Sequence, residues 1–255
     1  MRRFILERSN DEIYTSHSGL ARVGLCLNRY ADVDKTLREA IPLCHGASPG
    51  DRVKAYVGQL CLGKSAFEAI EGFRRDGFFK RSPGIRKVPS TPRLRFDEYA
   101  EEMLPMVYAN TIDFLPNAKV PVSLLATGHV ALDIERLPSG EPAANGLIMS
   151  LAAYSYKILR WIGLLAEISP VRHAVKRRRL RPVIQELMYR VARVIRCGRR
   201  WTLRFSAHCP ACRALRIPYH TNRTFMQLFS LETAPPPSVA VLVPPVQDNL
   251  WPLAS

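Results

Sequence analysis

The stretch EPAANGLIMSLAAYSYKILRWIGLLAEIS, residues 141–169, constrains this chain more than any other. It reads as one long helix whose apolar positions run round the cylinder, and such a helix has to be enclosed by other elements. It is not a membrane span. The best apolar run, residues 147–156, is soon followed by Lys157 and Arg160. A core helix of this kind needs partners, and 255 residues are enough to supply them in one large or two small domains.

Several partners can be read directly. In DVDKTLREAIP, Val33, Leu37 and Ile41 fall at helical spacing, with an acid at the start and Pro42 as the stop. Ser48 before Pro49 has the form of an N-cap with proline at the first helical position. The helix that follows places Val53, Tyr56, Val57 and Leu60 on one face and ends at Gly63, a left-handed terminator. SAFEAIEGF then offers Ser65 and Glu68 as a capping box. Two helices separated by so short a glycine-containing turn have the spacing of a helix-turn-helix, and equally of an ordinary helical hairpin. Asp76 and Gly77 turn the chain. Ser90-Thr91-Pro92 is expected to start one helix running through EYAEEMLPMVYANTIDFL.

The strand signals are fewer. Phe4 and Ile5 are expected to form a short strand, and Val130, Leu132 and Ile134 alternate as a strand should. VARVIR and WTLRF flank CGRR, which predicts a β-hairpin with Gly198 in its turn. The tail, with six prolines between Pro235 and Pro252, reads as extended and loosely held.

Charge decides the partner class. Residues 1–135 carry 19 basic and 17 acidic side chains, whereas residues 136–255 carry 18 and 5. Such asymmetry points to a polyanion, above all nucleic acid. Within residues 157–204 there are 14 basic and 2 acidic side chains, including the run Lys176, Arg177, Arg178, Arg179 and Arg181. Arg193, Arg196, Arg199, Arg200 and Arg204 extend this patch over the expected hairpin, and Trp201 and Tyr189 read as packing residues. Six mostly isolated cysteines and no signal-peptide pattern at the N-terminus suit a reduced, cytoplasmic setting. Cys209 and Cys212 with the distant His220 fall short of a four-ligand zinc site unless His208 or Cys197 joins, and read as idle thiols.

The blocks SGLARVGLCLNRYADVDKTLREAIP, YVGQLCLGKSAFEAIEGFRRD, VPSTPRLRFDE, HVALDI, ERLPSG, NGLIMSLAAYSYKILRWIG and RRRLRPVIQELMYRVARVIRCGRRWTLRFSAHCP resemble bacterial insertion-sequence transposases of the DDE type, group 1. The resemblance is collinear over roughly residues 1–225, and the tail from about Thr233 does not share it. It implies an α+β chain with an N-terminal helical DNA-binding region at 1–118. A remnant of a ribonuclease-H-like core would occupy 119–232, with a C-terminal apolar helix and β-hairpin, followed by a Pro-rich disordered tail at 233–255. It also implies DNA as partner, at the element's terminal inverted repeats, together with full-length transposase and a location on the bacterial nucleoid.

The family's core holds two Mg²⁺ ions on three acids drawn from separate elements. Here the first-acid motif reads Leu132-Asp133-Ile134-Glu135, and LPSG follows at once, near residues 133–137. The motifs expected for the other two acids are missing, so the middle of the core is inferred to be deleted. Two metal ions must clamp the attacking and leaving oxygens together. Asp133 and Glu135 alone would hold a single ion weakly, and a chain so reduced is expected not to cut DNA. DNA binding is the expected remaining activity, through Lys64, Arg74, Arg75, Arg93, Arg95 and the basic residues of 176–204. Two other readings stay open: a subunit whose catalytic site is completed in trans, and an inert decayed product.

Overall fold

The computed structural model describes residues 12–29, 33–41, 46–96, 98–113, 140–165, 180–198 and 200–209. Its helices are α1 (Leu20–Arg29), α2 (Val33–Ala40), α3 (Pro49–Cys61), α4 (Ile70–Phe73), α5 (Gly77–Arg81), α6 (Thr91–Leu94), α7 (Ala100–Asp113), α8 (Pro142–Leu165) and α9 (Leu180–Val183). α9 runs on into a π-helical turn, Ile184–Met188. Three strands, β1 (Ile13–Thr15), β2 (Ala192–Cys197) and β3 (Arg200–Arg204), form one antiparallel sheet in that order. The architecture is α+β. No helix among the described residues is long and apolar enough to cross a membrane.

The helix α3 lies at the centre, and all thirteen of its residues are buried. It starts as the sequence requires: the Ser48 hydroxyl accepts from the Asp51 amide at 3.1 Å, and Pro49 occupies the first turn. It ends at Gly63, whose φ of 69° is left-handed. Burial of charged side chains is tolerated because each is engaged. The Asp51 carboxylate accepts the amides of Arg86 and Lys87 at 2.9 and 3.2 Å. Lys54 pairs with Asp34 of α2 and donates to Asn28 at 3.1 Å. Arg52 reaches Glu98 at 3.4 Å.

The apolar helix α8 packs mainly against α7 and α3. Leu147, Ile148, Leu151, Tyr154, Ile158 and Leu159 are all fully enclosed. Burial of each leucine or isoleucine contributes about 1.5–3 kcal/mol. A single hydrophobic cluster joins α1, α3, α7, α8 and α9, so the described parts of 1–118 and of 119–232 share one core. Burial pushes the Cys26 thiol up to about 12 and raises Cys61 as well, so neither is a nucleophile at neutral pH.

Two elements differ from expectation. Ser65 does not cap a helix: the chain enters a 3₁₀ turn, Phe67–Ala69, at Ala66 without a side-chain cap. The cause is the end of α3, where Gln59 donates to the Ala66 carbonyl and Tyr56 to the Ser65 carbonyl, pinning 65–66 in place. The helix expected from Ser90 onward is broken into α6 and α7. Between them Phe96 and Tyr99 take φ of 61° and 64°, which costs roughly 1–2 kcal/mol per residue. In return Phe96 is buried against the Tyr56 ring, 5.7 Å between centroids. β1 was not foreseen. The strands expected at Phe4–Ile5 and at 130–134, and the tail at 233–255, lie outside the described residues.

Gly19 and Gly72 make a paired test of this packing. A Cβ on Gly19 would collide with the Leu187 carbonyl and with Met188 Cα, whereas one on Gly72 meets nothing. Gly19→Ala is expected to destabilise the protein by about 1–3 kcal/mol. Gly72→Ala should stabilise it by up to about 1 kcal/mol. Urea unfolding of both variants reads the two signs.

Candidate nucleic-acid interface

The sheet is fixed to the helical core along one seam. The Ser18 amide donates to the Arg190 carbonyl at 3.1 Å and the Gly19 amide to Met188 at 3.2 Å. The Tyr189 hydroxyl donates to the Leu62 carbonyl, at the end of α3, at 2.7 Å. On the same seam, buried His17 sits 3.0 Å from Asp76. The same carboxylate caps α5, accepting the amides of Phe78 and Phe79 at 2.8 and 2.9 Å. Short strands with little area of their own thus hold a set position.

Register decides what each face presents. Tyr14 lies beside Arg193, which lies beside Arg204, and Cys197 pairs with Arg200. By strand alternation these residues share the outer face with Ile195 and Thr202. Ile13, Val194, Leu203, Arg196 and Trp201 share the inner face. Arg193 and Arg204 are directly opposed, an arrangement that destabilises a sheet unless an anion relieves it. Glu12 relieves Arg193 at 2.9 Å. Arg204, like Arg196, Arg200, Arg75 and Arg81, is exposed and forms no ion pair among the described residues.

Between the inner face and α4–α5 lies an open, mostly apolar groove of about 1180 Å³. Phe78, Val194, Leu203 and Phe205 line it, with Arg75 and Arg81 on the helical side. Trp201, 44% exposed, stands in it with the Arg81 guanidinium 4.3 Å and the Arg196 guanidinium 5.6 Å from its ring centre.

The described residues that the sequence nominated for DNA separate into three groups. Arg196 lies on the inner face, on the side of the groove that Arg75 lines, whereas Arg200 lies on the outer face with Arg193, which is held by Glu12. Arg74 is paired with Glu71 at 2.9 Å and Arg93 with Glu98 at 2.8 Å, so each already has a partner within the protein. Lys64, Arg95 and Arg181 are exposed but are placed on other elements. Asp133, Glu135, Lys176, Arg177, Arg178, Arg179 and Arg199 lie outside the described residues. Among the described residues no group of three or more His, Cys, Asp and Glu side chains could hold a metal ion. Cys209 is half-buried and reduced, and Cys212 and His220 lie outside the described residues. The sequence did not single out Arg81 or Tyr14. Only the fold brings α5 and β1 alongside the hairpin.

Two carboxyls are perturbed near this surface. The Thr91 amide, with the Arg74 guanidinium and the Thr91 hydroxyl, holds Glu71 down at about 2. Burial by itself would raise Asp76, but His17 and the amides of Phe79 and Phe78 outweigh it and hold the carboxyl below its usual value. In comparisons with known proteins, the chain matches no family model, no curated protein and no solved structure.

A depressed folded-state value means that Asp76 stabilises the protein fully above its unfolded value of about 4. That contribution is lost as pH falls through the lower folded value. Asp76→Asn, which retains a capping side chain, should therefore be less stable than the wild type at neutral pH. Its stability should also fall less steeply below pH of about 4. Thermal melts across that range check this, and equal steepness would remove Asp76 from the account.

Proposed function

We propose that this chain is a DNA-binding protein, an insertion-sequence transposase in an internally deleted form that no longer cuts DNA. The observation that carries the reading is the arginine surface of the β2–β3 hairpin with α5. Arg75, Arg81 and Arg196 on the groove side, and Arg200 and Arg204 on the outer face of the hairpin, are exposed without acidic partners among the described residues. The collinear sequence blocks and the excess of basic over acidic side chains after residue 135 support it further.

The chemistry follows from the groups present. Guanidinium forks donate paired hydrogen bonds to phosphate oxygens, and each contact releases a condensed counterion. A two-stranded antiparallel ribbon also has the width to enter a major groove. Residues 119–232 are read as the remnant of a ribonuclease-H-like core. The missing second and third acids would leave no site for a metal pair, so binding is not followed by strand cleavage. A protein of this kind would work on the nucleoid, occupying the element's terminal inverted repeats and blocking an intact transposase.

The test is the salt dependence of duplex affinity, measured by fluorescence anisotropy on inverted-repeat and random duplexes. Arg200→Gln combined with Arg204→Gln should lower the slope of log affinity against log salt by about 1.8, two phosphate contacts at about 0.9 each. The inverted-repeat duplex should bind more tightly than the random one. An unchanged slope would remove the hairpin from the interface, and equal affinity for both duplexes would defeat the inhibitor role. Magnesium-dependent nicking by the purified chain would restore the catalytic reading.

A further inference from the structure

We propose that the groove beneath the sheet takes unpaired bases of single-stranded DNA, with Trp201 as the stacking surface. The inference rests on the reading that the chain binds DNA and names a second form of that ligand. Three observations lead to it.

The first is the tryptophan. An indole left 44% exposed on the inner sheet face gives up much of the apolar burial it could have had. What surrounds it is cationic: the guanidiniums of Arg81 and Arg196 at 4.3 and 5.6 Å from its centre, with Arg75 further along the groove. A planar aromatic flanked by arginines is the chemistry that binds a base by its π-face and the adjoining phosphates by charge.

The second is the groove itself. About 1180 Å³ of open space exceeds what one small ligand commonly fills, and Ile13, Phe78, Val194, Leu203 and Phe205 make its walls apolar. Bases in a duplex are stacked inside the helix and cannot reach such walls, whereas those of a single strand can.

The third is the sign of the field. Asp76 is the only acid among the described residues lining the groove, and its carboxylate is engaged by His17 and by the amides of Phe78 and Phe79. The charge open to a ligand there is positive. That favours a polyanion over an apolar peptide. A base joins the stack in place of Arg81, whose guanidinium then turns to the neighbouring phosphate.

The experiment uses the full chain with three labelled probes: a short oligothymidine, an abasic strand of equal length, and a random duplex. Oligothymidine should bind more tightly than the abasic strand. Trp201→Leu should weaken oligothymidine binding about 5- to 150-fold while duplex affinity stays within about twofold. A thermal melt establishes that the variant folds. If it does not, the comparison of abasic with oligothymidine strands on the wild-type protein decides alone. Equal affinity for those two strands, or an oligothymidine affinity indifferent to the substitution in a folded variant, overturns the stacking site while duplex binding stands. Failure to bind the duplex as well overturns the DNA reading beneath it.

Discussion

The complete burial of α3 is the constraint on which the rest of the structure depends. A helix sequence that includes Asp51, Arg52 and Lys54 does not go inside without recruiting partners. Those partners come from α2, from the loop at 86–87 and from Glu98, so satisfying α3 also locates its neighbours. Its apolar side receives α8, the helix that most needs enclosure. The carbonyl just past its end receives Tyr189, so α3 also fixes where the chain enters β2.

From that anchor the cationic surface follows. The sheet has few strands and short ones, and its position depends on the seam between 17–19 and 188–190, where Gly19 leaves room for the Leu187 carbonyl. Once docked, register sets Arg193 against Arg204 and Arg196 beside Trp201. Opposed arginines oppose folding in the absence of a counter-charge. Glu12 supplies one such charge, and the other exposed guanidiniums of the hairpin have no ion pair among the described residues. Stability and the proposed binding thus pull against each other at the same residues.

Much of the scaffold was legible in the sequence because local rules govern it. The Ser48-Pro49 start of α3, its end at Gly63, the long apolar α8 and the hairpin turn at Gly198 each rest on one or two residues with a fixed backbone preference. What was not legible depends on contacts distant in sequence. Ser65 loses its capping role to carbonyl contacts from Tyr56 and Gln59, and the break at Phe96 appears only when the Tyr56 ring is in place. The interface was half legible. The arginines of the hairpin could be read as a charge run, but the pairing of Arg93 with Glu98 and the arrival of Arg81 over Trp201 are products of packing. Trp201, taken from the sequence as a packing residue, stands partly open in a groove instead.

The central claim is that the hairpin and α5 together form the surface that meets DNA. Hydrogen exchange on the full chain, with and without saturating duplex, addresses it most directly. Bound duplex should slow exchange in Ala192–Cys197, Arg200–Arg204 and Gly77–Arg81, and leave the buried amides of Pro49–Cys61 unchanged. Duplex that binds while exchange in all three surface segments stays the same would contradict the account.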